Sequence, residues 1–147
     1  MFNHIWSIIC QNSSVDSQSN TISLFNCLEN INVEISKSKD IADKIMLPIQ
    51  FDVVSYWTID DNKEEKSFTL KMEVIKPNGE VVIIKENAVF AKAGWDKIRN
   101  IVKFSGLELG INDSGRYIIR LSQKEKDSDG FIGIANLPLD IKINLNK

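Results

Sequence analysis

A chain of 147 residues, 43% of them hydrophobic, suffices for one core and is short for two, so a single domain over residues 1–147 is expected. With 18 Lys plus Arg against 20 Asp plus Glu, the net charge of -2 creates no field that steers toward phosphate backbones or anionic lipid. Neither nucleic acid nor a membrane surface is therefore expected as a partner.

From the N-terminus, MFNHIWSIICQNSS has no Lys or Arg before its short apolar run and no small-residue cleavage site, which argues against an export signal. Bulky Ile9 before Cys10 argues against a lipoprotein anchor, and no apolar run is long enough to span a bilayer. The expected location is cytoplasmic, where thiols stay reduced. Cys10 and Cys27 each sit in an apolar run and read as small buried free thiols. Two cysteines and the lone His4 cannot form a four-ligand zinc site without carboxylates.

Short runs rich in Ile, Val, Phe, Thr and Tyr alternate with polar clusters along the rest of the chain, an all-β pattern. The expected strands cover 4–11, 21–34, 47–60, 67–76, 81–91, 98–109, 116–123 and 131–144. Together these eight or so strands predict one antiparallel β-sandwich of immunoglobulin-like or C2-like type. In the first, Trp6 alternates with Ile8 and Cys10, which places Trp6 and Ile8 in the core. The second, TISLFNCLENINVE, is ambiguous: Leu24, Leu28 and Ile31 also fit a helical stripe, but Thr21, Ile22, Phe25 and Val33 favour a strand. Phe51, Val53 and Trp57 share a face of the third.

Lys76-Pro77-Asn78-Gly79-Glu80 is a hairpin turn, because Pro fixes φ and Asn-Gly tolerates positive φ between alternating runs. On its flank Phe68, Leu70, Met72 and Val74 face the core, and Thr69, Lys71 and Glu73 face water. AVFAKAGWDK (88–97) leaves a helical turn open as an alternative to strand. The expected core is Trp6, Ile8, Leu24, Phe51, Val53, Leu70, Met72, Ile83, Phe104, Tyr117, Ile119 and Ile134. Polar stretches at 11–20, 36–44, 60–66 and 124–130 are of loop length.

Late in the chain, NDSGRYIIRL resembles the D-x-G-x-Y corner of immunoglobulin-like sandwiches through Asp113, Gly115 and Tyr117. The resemblance implies that the Tyr117 hydroxyl bonds to backbone upstream. Ile119 stands where those domains have a cysteine, so their inter-sheet disulfide is not implied. Val15, Asp16, Asn20, Ser23, Leu24, Phe25, Asn26, Leu28, Glu29 and Ile31, with Pro77 to Glu80, Gly115 to Tyr117 and Leu137-Pro138-Leu139, resemble a family of short uncharacterised bacterial β-sandwich proteins, a domain of unknown function. That resemblance implies a sandwich and carries no role with it.

If every strand crosses the whole sandwich, the loops at 12–20, 60–66, 93–97 and 124–130 share one end. Asp16, Asp60, Asp61, Asp96, Asp127 and Asp129 then approach one another, as carboxylates do around calcium. Lys63, Lys66, Lys97, Lys124 and Lys126 offset them, so solvated loop tips are the plainer expectation and no resident metal is assigned. Glu125 to Asn136 fails as an EF-hand loop, since Glu125 and Asn136 occupy its first and twelfth positions. Trp95, between Gly94 and Asp96, is the tryptophan expected to be partly exposed, where an indole can stack on the apolar face of a sugar.

No Gly-x-Ser-x-Gly, His-x-x-x-His or glycine-rich phosphate loop is present, so neither an enzyme nor a cofactor is expected. What remains is a non-catalytic intracellular module, an accessory subunit that binds another protein through a sheet edge. The alternative is a sandwich that binds calcium or carbohydrate at its loop end.

Overall fold

The computed structural model describes residues 1–36 and 44–146. Nine strands carry the chain: β1 (Phe2–Val15), β2 (Ile22–Cys27), β3 (Asn30–Ser36), β4 (Lys44–Ile59), β5 (Lys66–Ile75), β6 (Val81–Ala91), β7 (Lys97–Gly110), β8 (Gly115–Glu125) and β9 (Ile132–Asn146). They form a four-stranded sheet in the order β2-β1-β4-β7 and a five-stranded sheet in the order β3-β9-β8-β5-β6. The all-β expectation is met, and no helix among the described residues is long and apolar enough to cross a membrane.

One expected strand, 21–34, is two. Asn26 adopts φ 52°, a left-handed conformation that Asn tolerates better than most residues, and β2 stops at Cys27. The chain then crosses to the opposite sheet and continues as β3, so the helical stripe over Leu24, Leu28 and Ile31 is not used. β3 keeps β2's direction, and β9 already runs that way. Asn30 to Ser36 therefore pair with Asp140 to Asn146 in parallel, which corrects the expectation of a purely antiparallel fold. AVFAKAGWDK holds no helical turn: β6 runs on through Ala91, and a tight turn with Gly94 at φ 89° leads into β7.

The hairpin at 76–80 forms as its residues dictate. Lys76 N donates to Glu80 O at 2.8 Å, Asn78 Oδ1 accepts from Glu80 N at 2.9 Å, and Gly79 takes φ 91°. Phe68, Leu70, Met72 and Val74 are buried beneath it, whereas Thr69, Lys71 and Glu73 are only half-buried.

Between the sheets, Phe51 and Phe104 stack at 4.9 Å, and Phe68 packs against both Phe2 and Trp57. Buried Trp57 donates its indole N–H to Gln123 Oε1 at 3.0 Å, and Gln123 passes a bond on to Phe2 O at 3.1 Å, tying the two sheets through satisfied polar atoms. The tyrosine corner is built as its motif implies: Tyr117, fully buried, donates its hydroxyl to Asp113 O at 2.7 Å. Burial, reinforced by the nearby Asp113 charge, pushes its pKa up to about 12. Asp113 accepts from Lys76 Nζ at 2.8 Å and from Gly110 N at 2.9 Å, and these bonds hold its carboxyl below the usual carboxylate range.

Five of the residues expected in the core are only half-buried: Trp6, Ile8, Leu24, Ile83 and Ile134. For Trp6 and Ile8 the cause is a bulge. His4 pairs with Trp57 and Trp6 with Tyr56, which leaves Ile5 without a partner and 51% exposed. The bulge exchanges the two faces of β1, so Ser7 and Ile9 take the inner positions opposite Ser55 and Val53, and Trp6 and Ile8 turn outward. Leu24 and Ile83 lie on the edge strands β2 and β6, where a neighbour covers one side only. Ile134 sits at a register shift between Leu121 and Ser122.

Candidate functional site

β1 parts from β4 after Cys10, whose partner is Asp52, and its last residues pair with β2 alone. The resulting hairpin folds back over the outer face of the four-stranded sheet. Ser13 Oγ donates to Asp52 Oδ2 at 2.8 Å, and Arg99 Nη2 donates to Asn20 O at 2.6 Å and Asn20 Oδ1 at 2.8 Å. This cover explains why Asp52 and Val54, which alternate with the core residues of β4, are buried as well. Lys103 Nζ lies 3.5 Å from Asp52 Oδ2 and balances its charge.

The hairpin tip is set by local chemistry. Asp16 Oδ1 accepts from Ser19 N at 2.9 Å and Gln18 N at 2.8 Å, which keeps its carboxyl below the usual range. Asn20 then takes φ 57° and presents its carbonyl and side chain to Arg99.

Between this tip and the sheet lies a cleft of about 810 Å³ lined by Trp6, Tyr56, Trp95, Ser19, Thr21, Asp96 and Arg99, among others. Trp6 and Tyr56 stack at 5.7 Å with 25° between their planes. Trp95 closes the cleft from the β6–β7 turn and is 45% exposed, in line with its expected partial exposure. Its turn is anchored on both sides, since Gly94 N donates to Asn62 O at 2.7 Å and Ile59 N to Asp96 O at 2.9 Å. The lining residues carry among them a tyrosine hydroxyl, two indole N–H groups, further hydroxyls, a carboxylate and a guanidinium.

The acidic residues are arranged differently. Asp60 Oδ2 accepts from Asn3 Nδ2 at 2.8 Å, Asp61 occupies a left-handed φ of 53°, and Asp127 and Asp129 flank Ser128 in the β8–β9 turn. Asp16 is bound into its own turn. No three His, Cys, Asp or Glu side chains among the described residues come together closely enough to hold a metal. Because β2 and β3 run in one direction, the parity of the later loops is unchanged, and the 60–66 and 93–97 loops meet where Gly94 N donates to Asn62 O. The 16–21 turn reaches Trp95 by folding back across the sheet.

His4 lies in β1, edge-on to Trp57 at 5.6 Å. Its Nε2 is 2.7 Å from Ser7 Oγ, which donates to Ser55 Oγ at 2.8 Å. Burial lowers the imidazole pKa, partly opposed by a bond to the Trp6 backbone. None of these three residues lines the aromatic cleft; they join β1 to β4 on the inner face.

No family model matches the chain, and no curated protein matches it in sequence. The cleft therefore has to be read from its own chemistry. Trp6 and Tyr56 escape strand-by-strand reading because each lies in an apolar run that looks like core. The signal that finds them is the doubled pattern of Ile5-Trp6 and Ile8-Ile9-Cys10, adjacent apolar residues that serve both faces of one strand.

Proposed function

We propose that the chain is a non-catalytic intracellular binding module of immunoglobulin-like type whose ligand is a carbohydrate seated in the Trp6–Tyr56–Trp95 cleft. The observation that carries the reading is the gathering of three aromatic rings, none of them part of the inter-sheet core cluster, on one concave surface with polar groups at its rim. Large aromatics left outside the core are otherwise a liability, and here Trp6 and Tyr56 sit on paired strands and Trp95 on an anchored turn. The immunoglobulin-like type is supported by the Tyr117 corner and by β1-β4-β7 opposing β9-β8-β5 with β6 beside β5. Titration calorimetry against a panel of neutral and acidic oligosaccharides tests the reading. Saturable binding that Trp95→Ala reduces at least tenfold is the expected result, and absence of binding across the panel overturns it.

A second reading, a protein partner on a sheet edge, is favoured by β6, which ends the five-stranded sheet with Ile84 61% and Phe90 60% exposed. Under that reading Ile84→Glu and Phe90→Glu release a co-purifying partner, whereas Trp95→Ala leaves it bound.

A further inference from the structure

The two cysteines, distant in sequence, are direct cross-strand partners: Cys10 in β1 faces Cys27 at the end of β2. Beside them Leu28 N donates to Ile9 O at 2.8 Å, which makes Cys10 and Cys27 a pair with no backbone hydrogen bonds between them. Facing side chains come closest in such pairs, with Cα atoms about 4.5 Å apart, inside the roughly 4.4–6.8 Å that disulfides span. Both thiols are free; Cys10 is buried and Cys27, against its sequence expectation, is exposed.

We propose that Cys10 and Cys27 form a reversible dithiol–disulfide couple at the base of the β1–β2 hairpin. The oxidant is a small-molecule disulfide such as oxidised glutathione, and exposed Cys27 meets it. The Cys27 thiolate attacks one sulfur of that disulfide, forming a mixed disulfide and releasing one glutathione thiolate. The Cys10 thiolate then attacks Cys27 Sγ and expels the second. Two protein thiols are oxidised to one disulfide, one oxidised glutathione is reduced to two thiols, and the two protein protons pass to the departing thiolates. Cys10 acts second because burial raises its thiol pKa, with the charges of Asp52 and of a Cys27 thiolate adding to the effect.

Position gives the bond its effect. β1 leaves β4 just after Cys10, so the cross-link sits at the hinge of the hairpin that walls the aromatic cleft. Formation of the bond does not depend on what the cleft holds.

The test equilibrates the full chain with mixtures of oxidised and reduced glutathione under native conditions, followed by alkylation and non-reducing peptide mapping. A Cys10–Cys27 link within one chain, reversed by dithiothreitol, is expected, with the melting temperature of the oxidised form higher by roughly 5–10 °C. Cys10→Ala should stop at glutathionylated Cys27, and Cys27→Ser, a change at an exposed site, should leave Cys10 unmodified. Two fully alkylatable thiols after oxidation, a stable mixed disulfide in the unaltered chain, or Cys27 joined to Cys27 of a second copy overturns the proposal.

Discussion

Tyr117 shows how much one hydroxyl can fix. Its ring fills the core, and its O–H satisfies the Asp113 carbonyl, where the chain turns from β7 into β8. Tyr117→Phe keeps the ring and removes that donor, so a loss of about 1–2 kcal/mol in urea-denaturation stability is expected. His4 supplies a pH dependence whose sign follows from burial. Its folded pKa lies below the usual 6.5, so at pH 7.5 the imidazole is neutral in both states and costs nothing. As pH falls through 6.5, the unfolded chain takes the proton first, and stability declines until the folded pKa is reached. Urea midpoints measured from pH 7.5 to 5 should fall for the native chain and fall less for His4→Gln; equal slopes would show that His4 is not the source. The sequence revealed Tyr117 because its motif is local. His4 was illegible because its environment comes from Trp57 and Ser55, far along the chain.

At the scale of elements, the Lys76–Glu80 hairpin and the alternation of β5 were legible, since each is set by neighbours in sequence. Gly79→Ala tests that hairpin cleanly: a Cβ there meets nothing within 4 Å, so its cost is the left-handed φ alone. About 1 kcal/mol of lost stability is expected by thermal denaturation, with an unchanged fold by circular dichroism. The bulge at Ile5 and the break at Asn26 were not legible, because neither Pro nor Gly marks them and each follows from what the flanking residues must reach. An edge shows the same dependence on distant residues. Lys85 of β6 donates to Lys103 O of β7 at 2.7 Å, its ammonium 4.4 Å from the Phe104 ring centroid, and so links the two sheets at one point. Lys85→Ala is expected to cost about 1 kcal/mol and to speed amide exchange along β7, measured by hydrogen–deuterium exchange.

For the molecule as a whole, composition and periodicity established the all-β class, while the parallel β3–β9 pair and the cleft depended on how the hairpin and crossover fold back. The cleft joins residues from β1, β4, the hairpin tip and the β6–β7 turn, and no single stretch of sequence contains it. With a net charge of -2, the surface offers little for counterion release, so no salt-sensitive shift is expected in a mobility assay with DNA or RNA at physiological salt. The cleft itself predicts a fluorescence response: a seated sugar should change the emission of Trp95, and Trp95→Phe should remove most of that change.

The pairing of β3 with β9 also bears on how the chain is made. Asn30 has Asp140 as its partner, so β3 emerges from the ribosome long before the strand it pairs with. Until then Ile31, Val33 and Ile35 form an alternating apolar strand with a bare edge, open to pairing with other nascent chains. Removing β9 by early termination should therefore yield a product that aggregates during synthesis, and a holdase chaperone supplied at that stage should rescue the full-length chain from the same fate.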